Sequence, residues 1–461
     1  MTNGVDPLSQ SIERLAEFVV ECGQSAIPAE VEHFGRLLLL DSVGAMVGGT
    51  RYPAVRAMRV LLEGPRLSES DLPFGPLVTL GSAATWLDAD SGGSFHPEGH
   101  RLPPVPTAHP APHVLPVILH GAANGIDDDL LVKAFILATE VGMRFGTATS
   151  LRPGMHPHGI HGPVATAAAA SMLRGHSASL TAAAMTHAIA TPLAARLRVP
   201  MAGGTVRNAW TGLGAYYGAK AAAEAGQRKR LDAGTAARVL STVVTPDVRL
   251  ELLTDDLKSR WAMLDSYVKP YACARWIHPI LDATRSALAD RAGRPDVDAI
   301  QRIDVETFAF AASLSGIGLR SDLHARFSLP VCIAAVILDR ELHAQSFLPD
   351  GLSRPEIRTL AELVHVREDP DFTAVLPRER PSTVTITWQG GRQTSHHVRN
   401  SRGNPGDRLT LQEISAKFRS NVDTVLPPQL TERCIATLAN RDSSERPRRV
   451  LADVAAQFGL S

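Results

Sequence analysis

The chain has 461 residues, 44% of them hydrophobic and 20% charged, so it can bury a sizeable core, and its length suggests about three domains. Its 47 basic and 47 acidic residues give a formal net charge of zero, which argues against a nucleic-acid partner and against docking on an anionic membrane. The N-terminus lacks signal-peptide features, and no apolar run reaches the roughly 18 residues of a membrane span. The four cysteines lie far apart, which excludes a disulfide framework and favours a reducing, cytoplasmic location.

Helical patterns dominate the first 260 residues. Asp6-Pro7 has the form of an N-cap followed by a first-turn proline, and Asp127 has the form of another N-cap. Between them, a second helix is predicted from Ser25–Pro28 to the glycine pair at 48–49. Alanine-rich stretches at 163–173, 180–195 and 209–225 favour helices that approach each other closely in the middle of a bundle.

The pattern changes after about residue 290. Ile300, Ile303 and Val305 lie in a strand-like run, and residues 363–366 form another. Residues 383–388 alternate strictly, and Gly390-Gly391 turns the chain back, as in a β-hairpin. Residues 409–440 return to helical patterns. We therefore predict a mainly α protein: a discontinuous helical domain (1–265 and 405–461) with a smaller α+β lid domain (266–404) inserted between its parts.

Histidines are concentrated in one part of the chain. Eight of the 17 lie within residues 96–161: His96, His100, His109, His113, His120, His156, His158 and His161. Asp88 and Asp90 precede them. Because residues 91–116 are rich in glycine and proline, we expect no regular helix there. A polar, histidine-bearing loop between apolar helices is a candidate functional site, although single members could be solvated loop residues.

Two other kinds of site are weighed against this cluster. His96 and His100 have the spacing of two metal ligands on a helix, but Pro97 and Gly99 disfavour a helix and no thiolate is near in sequence. Gly212-Leu-Gly214 superficially resembles a dinucleotide fingerprint, yet it lies inside a helical pattern with no strand before it. We therefore expect neither a metal nor another cofactor.

Basic residues form a second candidate set. Arg207 begins an alanine-rich helix, and Lys269 and Arg275 flank an aromatic, small-residue segment that continues to His278. A buried cation without a partner is costly, so each either pairs with a core aspartate or binds an anionic, carboxylate-bearing substrate.

Seven stretches, taken in order, resemble the MmgE/PrpD family, which includes 2-methylcitrate dehydratase, cis-aconitate decarboxylase and iminodisuccinate epimerase. They are residues 40–48, 83–90, 109–116, 154–163, 206–212, 269–283 and 325–330. Among them are an aspartate loop (Asp88-Ala-Asp90), an "H-P-x-x-x-V-L-P"-like run from His109, and a "G-x-H" start at Gly154-Met-His156. The resemblance spans nearly the whole chain.

The resemblance implies an all-helical domain plus an α+β lid, a homodimer, and cofactor-free acid–base chemistry on a polycarboxylate. It implies catalytic roles for Asp88, His109, His156 and Lys269. Around these we place a substrate-binding set, which consists of Asp90, His100, His158, Arg207, Arg275 and His278.

Three departures from the family pattern bear on the reaction. The aspartate loop lacks an acidic doublet and a threonine, Arg207 replaces a lysine, and Val331 replaces a tyrosine expected in the decarboxylase. In addition, residues 94–105 lengthen the histidine loop. These changes argue against decarboxylation of cis-aconitate, and they also weaken the case for dehydration of methylcitrate.

The predicted chemistry is removal of a proton next to a carboxylate. A dehydratase (hydro-lyase) acting on a small di- or tricarboxylate is the first hypothesis, and an epimerase at the α-carbon of a dicarboxylate is the second. A catalytically retired carboxylate-binding homologue is the non-enzyme alternative. We expect His156 to lie at a helix N-terminus, whose dipole would keep its imidazole neutral and available as a base.

Overall fold

The computed structural model describes residues 6–62, 72–95, 105–106, 108–193, 196–227, 231, 233–289 and 297–460. Helices account for most of this part of the chain. Their bounds are α1 Pro7–Gln24, α2 Ala29–Thr50, α3 Pro53–Leu62, α4 Phe74–Ala84, α5 Ala111–Ala123, α6 Asp128–Ala148, α7 Gly162–Leu173, α8 Ala178–Ile189, α9 Arg198–Met201, α10 Val206–Glu224, α11 Ala233–Val239, α12 Glu251–Thr254, α13 His278–Ala289, α14 Ala309–Ala312, α15 Asp322–Arg326, α16 Leu329–Asp339, α17 Pro349–Leu352, α18 Pro355–Glu362, α19 Pro370–Ala374, α20 Leu411–Val422, α21 Pro428–Leu438 and α22 Pro447–Ala456.

The strands are short and few. Their bounds are β1 Gly92–Phe95, β2 Val105–Pro106, β3 Thr149–Ser150, β4 Asp247–Val248, β5 Ser266–Tyr267, β6 Ile300–Thr307, β7 Val364–Glu368, β8 Ser382–Trp388 and β9 Gln393–Val398. The predicted fold class, mainly α with a smaller α+β part, is confirmed.

Local sequence signals set several helix boundaries. The Asp6 carboxylate accepts a hydrogen bond from the Ser9 N–H at 3.1 Å, and Asp127 caps α6 in the same way. Helix α2 is buried on nearly every side from Phe34 onward, which makes it a central helix of the bundle. Within the described ranges, no helix is both long enough and apolar enough to cross a bilayer.

Two clusters of buried apolar side chains organise the described structure. The larger one joins helices of the first 260 residues to α20, α21 and α22 from the end of the chain. The smaller cluster draws its members from residues 271–388. The C-terminal helices therefore complete a core whose first members, from Leu8 onward, lie some 400 residues earlier in the sequence.

The smaller core lies against a four-stranded sheet of order β7-β6-β8-β9. β6 pairs in parallel with β7 and antiparallel with β8, so that Ile303 lies opposite both Val364 and Ile386. β8 and β9 form the predicted hairpin, and Gly390 and Gly391 adopt positive φ at its turn. Helix α13 packs on β8 and β9.

Two sequence predictions were wrong in detail. Helix α5 begins at Ala111, inside the segment predicted to contain no regular helix. Pro112 fits its first turn, where no N–H is needed, and Pro116 is accommodated further along. Helix α8 ends at Ile189, short of residue 195. The Gly212–Gly214 segment lies within α10, as expected.

Two connections bring distant segments to the aspartate loop, residues 88–90. β1 pairs with β5, with Gly92 opposite Tyr267, which places Lys269 beside the loop. On the other side, Lys417 of α20 pairs with Asp41 of α2 at 2.6 Å and donates to the Ala89 carbonyl at 3.0 Å. Segments that lie about 180 and 330 residues further along the chain thus position this loop.

Candidate active site

The aspartate loop follows the turn after α4 and is held in an unusual backbone conformation. Asp88 has a φ of +50°, in the left-handed region that aspartate tolerates better than most side chains. Asp88 and Asp90 are both about 2% exposed. Two carboxylates are therefore fixed in the interior, where they require cationic or hydrogen-bonding partners.

Two cations supply those partners. Arg207 Nη2 lies 2.5 Å from Asp88 Oδ1, and its Nη1 donates to the Thr85 carbonyl at 2.6 Å. Lys269 Nζ donates to Asp88 Oδ1 at 3.0 Å and to the Asp88 carbonyl at 2.8 Å. Both cations are also within 4 Å of Asp90 Oδ1. The charges of this buried cluster balance.

Asp90 connects the cations to the histidines. His109 Nδ1 donates to Asp90 Oδ2 at 2.9 Å and lies 3.0 Å from the Ser91 carbonyl. His158 Nε2 lies 3.4 Å from the same carboxylate oxygen. Because both neighbours of His109 Nδ1 are acceptors, the proton of its neutral ring is assigned to Nδ1, which leaves a lone pair on Nε2.

The other site histidines surround His158 with their rings edge to face. Ring centroids of His109 and His156 lie 4.6 and 4.5 Å from that of His158, and His113 lies 6.0 Å away. The backbone N–H of His158 donates to His156 Nδ1 at 3.1 Å. The proton of neutral His156 is therefore assigned to Nε2, the opposite tautomer to that of His109.

His113 connects the backbone segments that carry His109 and His158. Its Nδ1 donates to the His109 carbonyl at 2.9 Å, and its Nε2 accepts from the Gly159 N–H at 3.2 Å. Gly162, the first residue of α7, packs directly on the ring: a Cβ there would lie 2.1 Å from His113. Glycine at this position permits the close approach of α7 to α5.

Burial sets the protonation of these groups. It lowers the pKa of His156 and His158 well below the usual value, and nearby Arg207 lowers both further. Burial also lowers the pKa of His113 to about 4. For Asp90, burial alone would raise the pKa, but Lys269 and the histidine hydrogen bonds hold it well below its usual range. Burial would lower the pKa of Lys269, yet Asp88 and Asp90 raise it. The site thus combines the neutral imidazoles of His113, His156 and His158 with an ionised Asp90 and a charged Lys269.

The predicted position of His156 was wrong. Helix α7 begins at Gly162, six residues after His156, which lies in the preceding loop. Its imidazole is therefore kept neutral by burial and by Arg207, rather than by a helix dipole.

Arg275 and His278 lie in a second group, next to Tyr267. The Arg275 guanidinium donates to Ser401 Oγ and Asn404 Oδ1, and lies 3.4 Å from His278 Nδ1. His278 Nε2 in turn donates to the Cys273 carbonyl at 3.1 Å. His278 thus positions Arg275 instead of facing the aspartate loop.

The structure brings together seven of the predicted site residues, which are Asp88, Asp90, His109, His156, His158, Arg207 and Lys269. Their roles in binding and catalysis stay predictions. His100, also predicted, lies outside the described residues. Arg207 and Lys269 pair with aspartate, whereas Arg275 has only neutral hydrogen-bonding partners in the described structure.

Sequence reasoning missed Tyr267 and the positioning role of His113. The Tyr267 ring lies 6.2 Å from that of His109, and the Arg275 guanidinium carbon lies 4.7 Å from the Tyr267 centroid. Tyr267 stands two residues before Lys269, so its place in the predicted site segment was an available signal.

Three groups could hold a metal ion together. The ligand atoms of Asp90, His109 and His158 lie within 4.8 Å of one another. This set was not predicted, because its members are spread over residues 90–158 rather than arranged on one helix. Lys269 and Arg207 already neutralise the aspartates, and their positive charge disfavours a dication at this position.

Comparison with known proteins gives a family-level result. Residues 13–227 match the family model of the MmgE/PrpD N-terminal domain, and residues 271–442 match that of the MmgE/PrpD C-terminal domain. No curated protein matches the chain.

Proposed function

Because the chain belongs to the MmgE/PrpD family, whose membership supports a dehydratase-type enzyme, we propose that it is a cofactor-independent hydro-lyase acting on a small di- or tricarboxylate. The observation that carries this proposal is the placement of His109, whose Nδ1 is held by Asp90, beside the buried imidazoles of His156 and His158 and the cations that pair with Asp88. Histidine is the side chain best suited to remove and return a proton near neutral pH, and it needs no bound cofactor to do so.

We assign the general base to His109. Asp90 fixes its Nδ1–H, so that Nε2 carries the lone pair. Its side chain is 14% exposed, whereas that of His158 is fully buried, so His109 is the more accessible to a substrate. Asp90 stabilises the imidazolium that forms when His109 accepts a proton.

The proposed reaction is an elimination. His109 Nε2 takes a proton from the carbon next to a substrate carboxylate, and the electron pair of the broken C–H bond becomes that of the new C=C bond. The C–O bond to the β-hydroxyl breaks, and the imidazolium returns its proton to the leaving oxygen, releasing water. The products are an unsaturated acid and water, and the enzyme is regenerated.

The neighbouring groups stabilise charge during this step. His156, protonated on Nε2, can donate a hydrogen bond to the developing enolate, as a neutral imidazole does in other enolising enzymes. Lys269 retains donor capacity beyond its bonds to Asp88 and can bind the reacting carboxylate.

An epimerase is the second candidate, because the rings of His109 and His156 both pack against that of His158 and could act as base and acid on a planar intermediate. Decarboxylation is less well supported: Val331 is fully buried in the smaller core and supplies no hydroxyl.

The test is NMR of purified protein with a panel of di- and tricarboxylates in D2O. A hydro-lyase forms an alkene that absorbs in the ultraviolet, whereas an epimerase incorporates deuterium without changing the bonded skeleton. Replacement of His109 by Gln should abolish either reaction, and His33→Gln, at an exposed histidine, is the matched control. Binding of acids without any turnover would instead indicate a retired enzyme.

A further inference from the structure

The Arg275 guanidinium is a buried cation that forms no direct ion pair in the described structure, where the carboxylate of Asp282 acts on it only from beyond ion-pair distance. Its residue is 6% exposed, its hydrogen bonds go to the neutral groups of Ser401 and Asn404, and Nε has no hydrogen-bond partner. A buried charge whose direct partners are all neutral is costly, and a ligand of opposite charge would relieve that cost. This differs from Arg207 and Lys269, whose charges are matched by aspartate.

A second arginine enters the same region from the segment before β8. The Arg380 N–H donates to Asn400 Oδ1 at 3.1 Å and to the Arg399 carbonyl at 3.2 Å, which fixes its backbone beside Ser401. The side chain is partly buried. Among the described residues, no carboxylate acts on it, and its electrostatic neighbour is Tyr267. Burial lowers the pKa of Arg380, and burial together with Arg380 lowers the pKa of Arg275 to about 10. Arg380 and Arg275 therefore repel each other, and Asp282 offsets only part of this unfavourable environment.

Tyr267 connects this pair to the proposed base. Its ring lies under the Arg275 guanidinium and 6.2 Å from the His109 ring. A Cβ at Gly92 would lie 2.7 Å from the Tyr267 hydroxyl and 2.5 Å from His109 Cε1, so the hydroxyl and the imidazole border the same small space. A ligand bound at the arginines is thus adjacent to the reacting groups.

We propose that Arg275 and Arg380, with Tyr267 between them and His109, form a subsite for a second substrate carboxylate, away from Lys269. The inference deepens the proposed function and rests on it for the identity of the bound acid as substrate. It makes Arg380 a specificity-determining residue: the site requires an acid with at least two carboxylates, one next to the reacting carbon and one at the arginine pair.

The experiment measures binding of an unreactive acid, so that it does not depend on turnover. Tricarballylate and succinate are titrated into the full chain by calorimetry, with butyrate as the monocarboxylate comparison. Arg380→Gln should weaken tricarballylate binding by about 10- to 100-fold, the usual worth of a charge-assisted hydrogen bond, and should barely affect butyrate. Arg378→Gln removes the same charge from an exposed residue of the same segment and should bind tricarballylate like the wild type.

A thermal melt separates ligand binding from a structural role. If Arg380 serves a ligand, Arg380→Gln keeps or raises the melting temperature of the free protein, because a like charge beside Arg275 has been removed, and it abolishes the rise caused by tricarballylate. A lower melting temperature with unchanged tricarballylate affinity would overturn the subsite. Binding of inorganic phosphate in place of the carboxylic acids would overturn the assignment to a carboxylate.

The two proposals fail separately. Arg380-dependent binding of tricarballylate without turnover of any acid in the NMR panel would leave the subsite and refute the hydro-lyase. Turnover of a dicarboxylate with the same KM in Arg380→Gln and wild type would refute the subsite and leave the hydro-lyase.

Discussion

Acidification from pH about 7.5 to about 5.5 should strongly destabilise the folded protein, because five described histidines are buried with lowered pKa values. They are His113, His156, His158, His161 and His278. In the unfolded chain each regains a pKa of about 6.5 and binds a proton that the folded chain rejects. The free energy of unfolding is therefore unaffected by these histidines above about pH 6.5. It decreases as the pH falls from there towards the pKa of each histidine in the folded protein, which is about 4 for His113.

The size of the effect follows from this linkage. At one pH unit below 6.5, each such histidine costs about 1.4 kcal/mol of the free energy of unfolding, so five cost about 7 kcal/mol. That approaches the roughly 5–15 kcal/mol of a typical folded protein. Burial raises the pKa of Asp41 and Asp282, and these carboxyls offset part of the loss because they bind protons more readily when folded.

The assay is urea unfolding followed by circular dichroism at constant ionic strength across this pH range. His113→Asn tests the cause. At neutral pH it should lose about 1–3 kcal/mol, because the Gly159 N–H loses its acceptor, while the fall in stability with acid becomes shallower. His33→Asn, at an exposed position, should retain the wild-type slope. A wild-type stability that stays flat down to about pH 5.5, or an unchanged slope in His113→Asn, would refute the reasoning.

Four further predictions concern activity and assembly. His156→Ala should lower turnover by about 10²–10⁴-fold with an unchanged circular dichroism spectrum, and full activity in that variant would remove His156 from the mechanism. Lys269→Ala should raise KM as well as lower kcat, since its ammonium pairs with Asp88 and is proposed to bind the reacting carboxylate of the substrate; a change in kcat alone would contradict a binding role. A chelator should leave activity unchanged, and loss of activity that zinc restores would instead favour a metal at Asp90, His109 and His158. Light scattering at micromolar concentration should give the mass of a homodimer, as the family resemblance implies, and a monomer mass would contradict it.

Sequence patterns predicted the helix caps and the hairpin correctly because these features depend on interactions between residues that are close in sequence. The caps at Asp6 and Asp127 and the hairpin around Gly390-Gly391 depend on residues near in sequence, and each is confirmed. Helix α5 was missed because Pro112 and Pro116 were read as helix breakers, although the first turn needs no N–H at Pro112. The exact limits of the two domains stay a prediction.

The site was predictable as a set of residues but not as a geometry. Motifs pointed to Asp88, His109, His156 and Lys269, which do lie together. Their pairing depends on strand β5 reaching β1 and on ring-to-ring packing, which no short-range pattern encodes. The opposite tautomers of His109 and His156 follow only from the acceptors and donors around each ring.

The bond between Lys417 and the aspartate loop has a consequence for how the protein matures during synthesis. Lys417 braces the Ala89 carbonyl and neutralises Asp41 from a helix near the end of the chain. The ribosome will therefore have made the histidines, Arg207 and Lys269 well before the segment that supports the loop emerges. The α+β domain has a core of its own from residues 271–388. It can therefore fold before the helical domain, whose core still lacks its C-terminal helices at that stage. The site should consequently be completed late in synthesis, because nascent chains released before residue 417 would contain nearly every site residue but lack the contacts of Lys417 with Ala89 and Asp41.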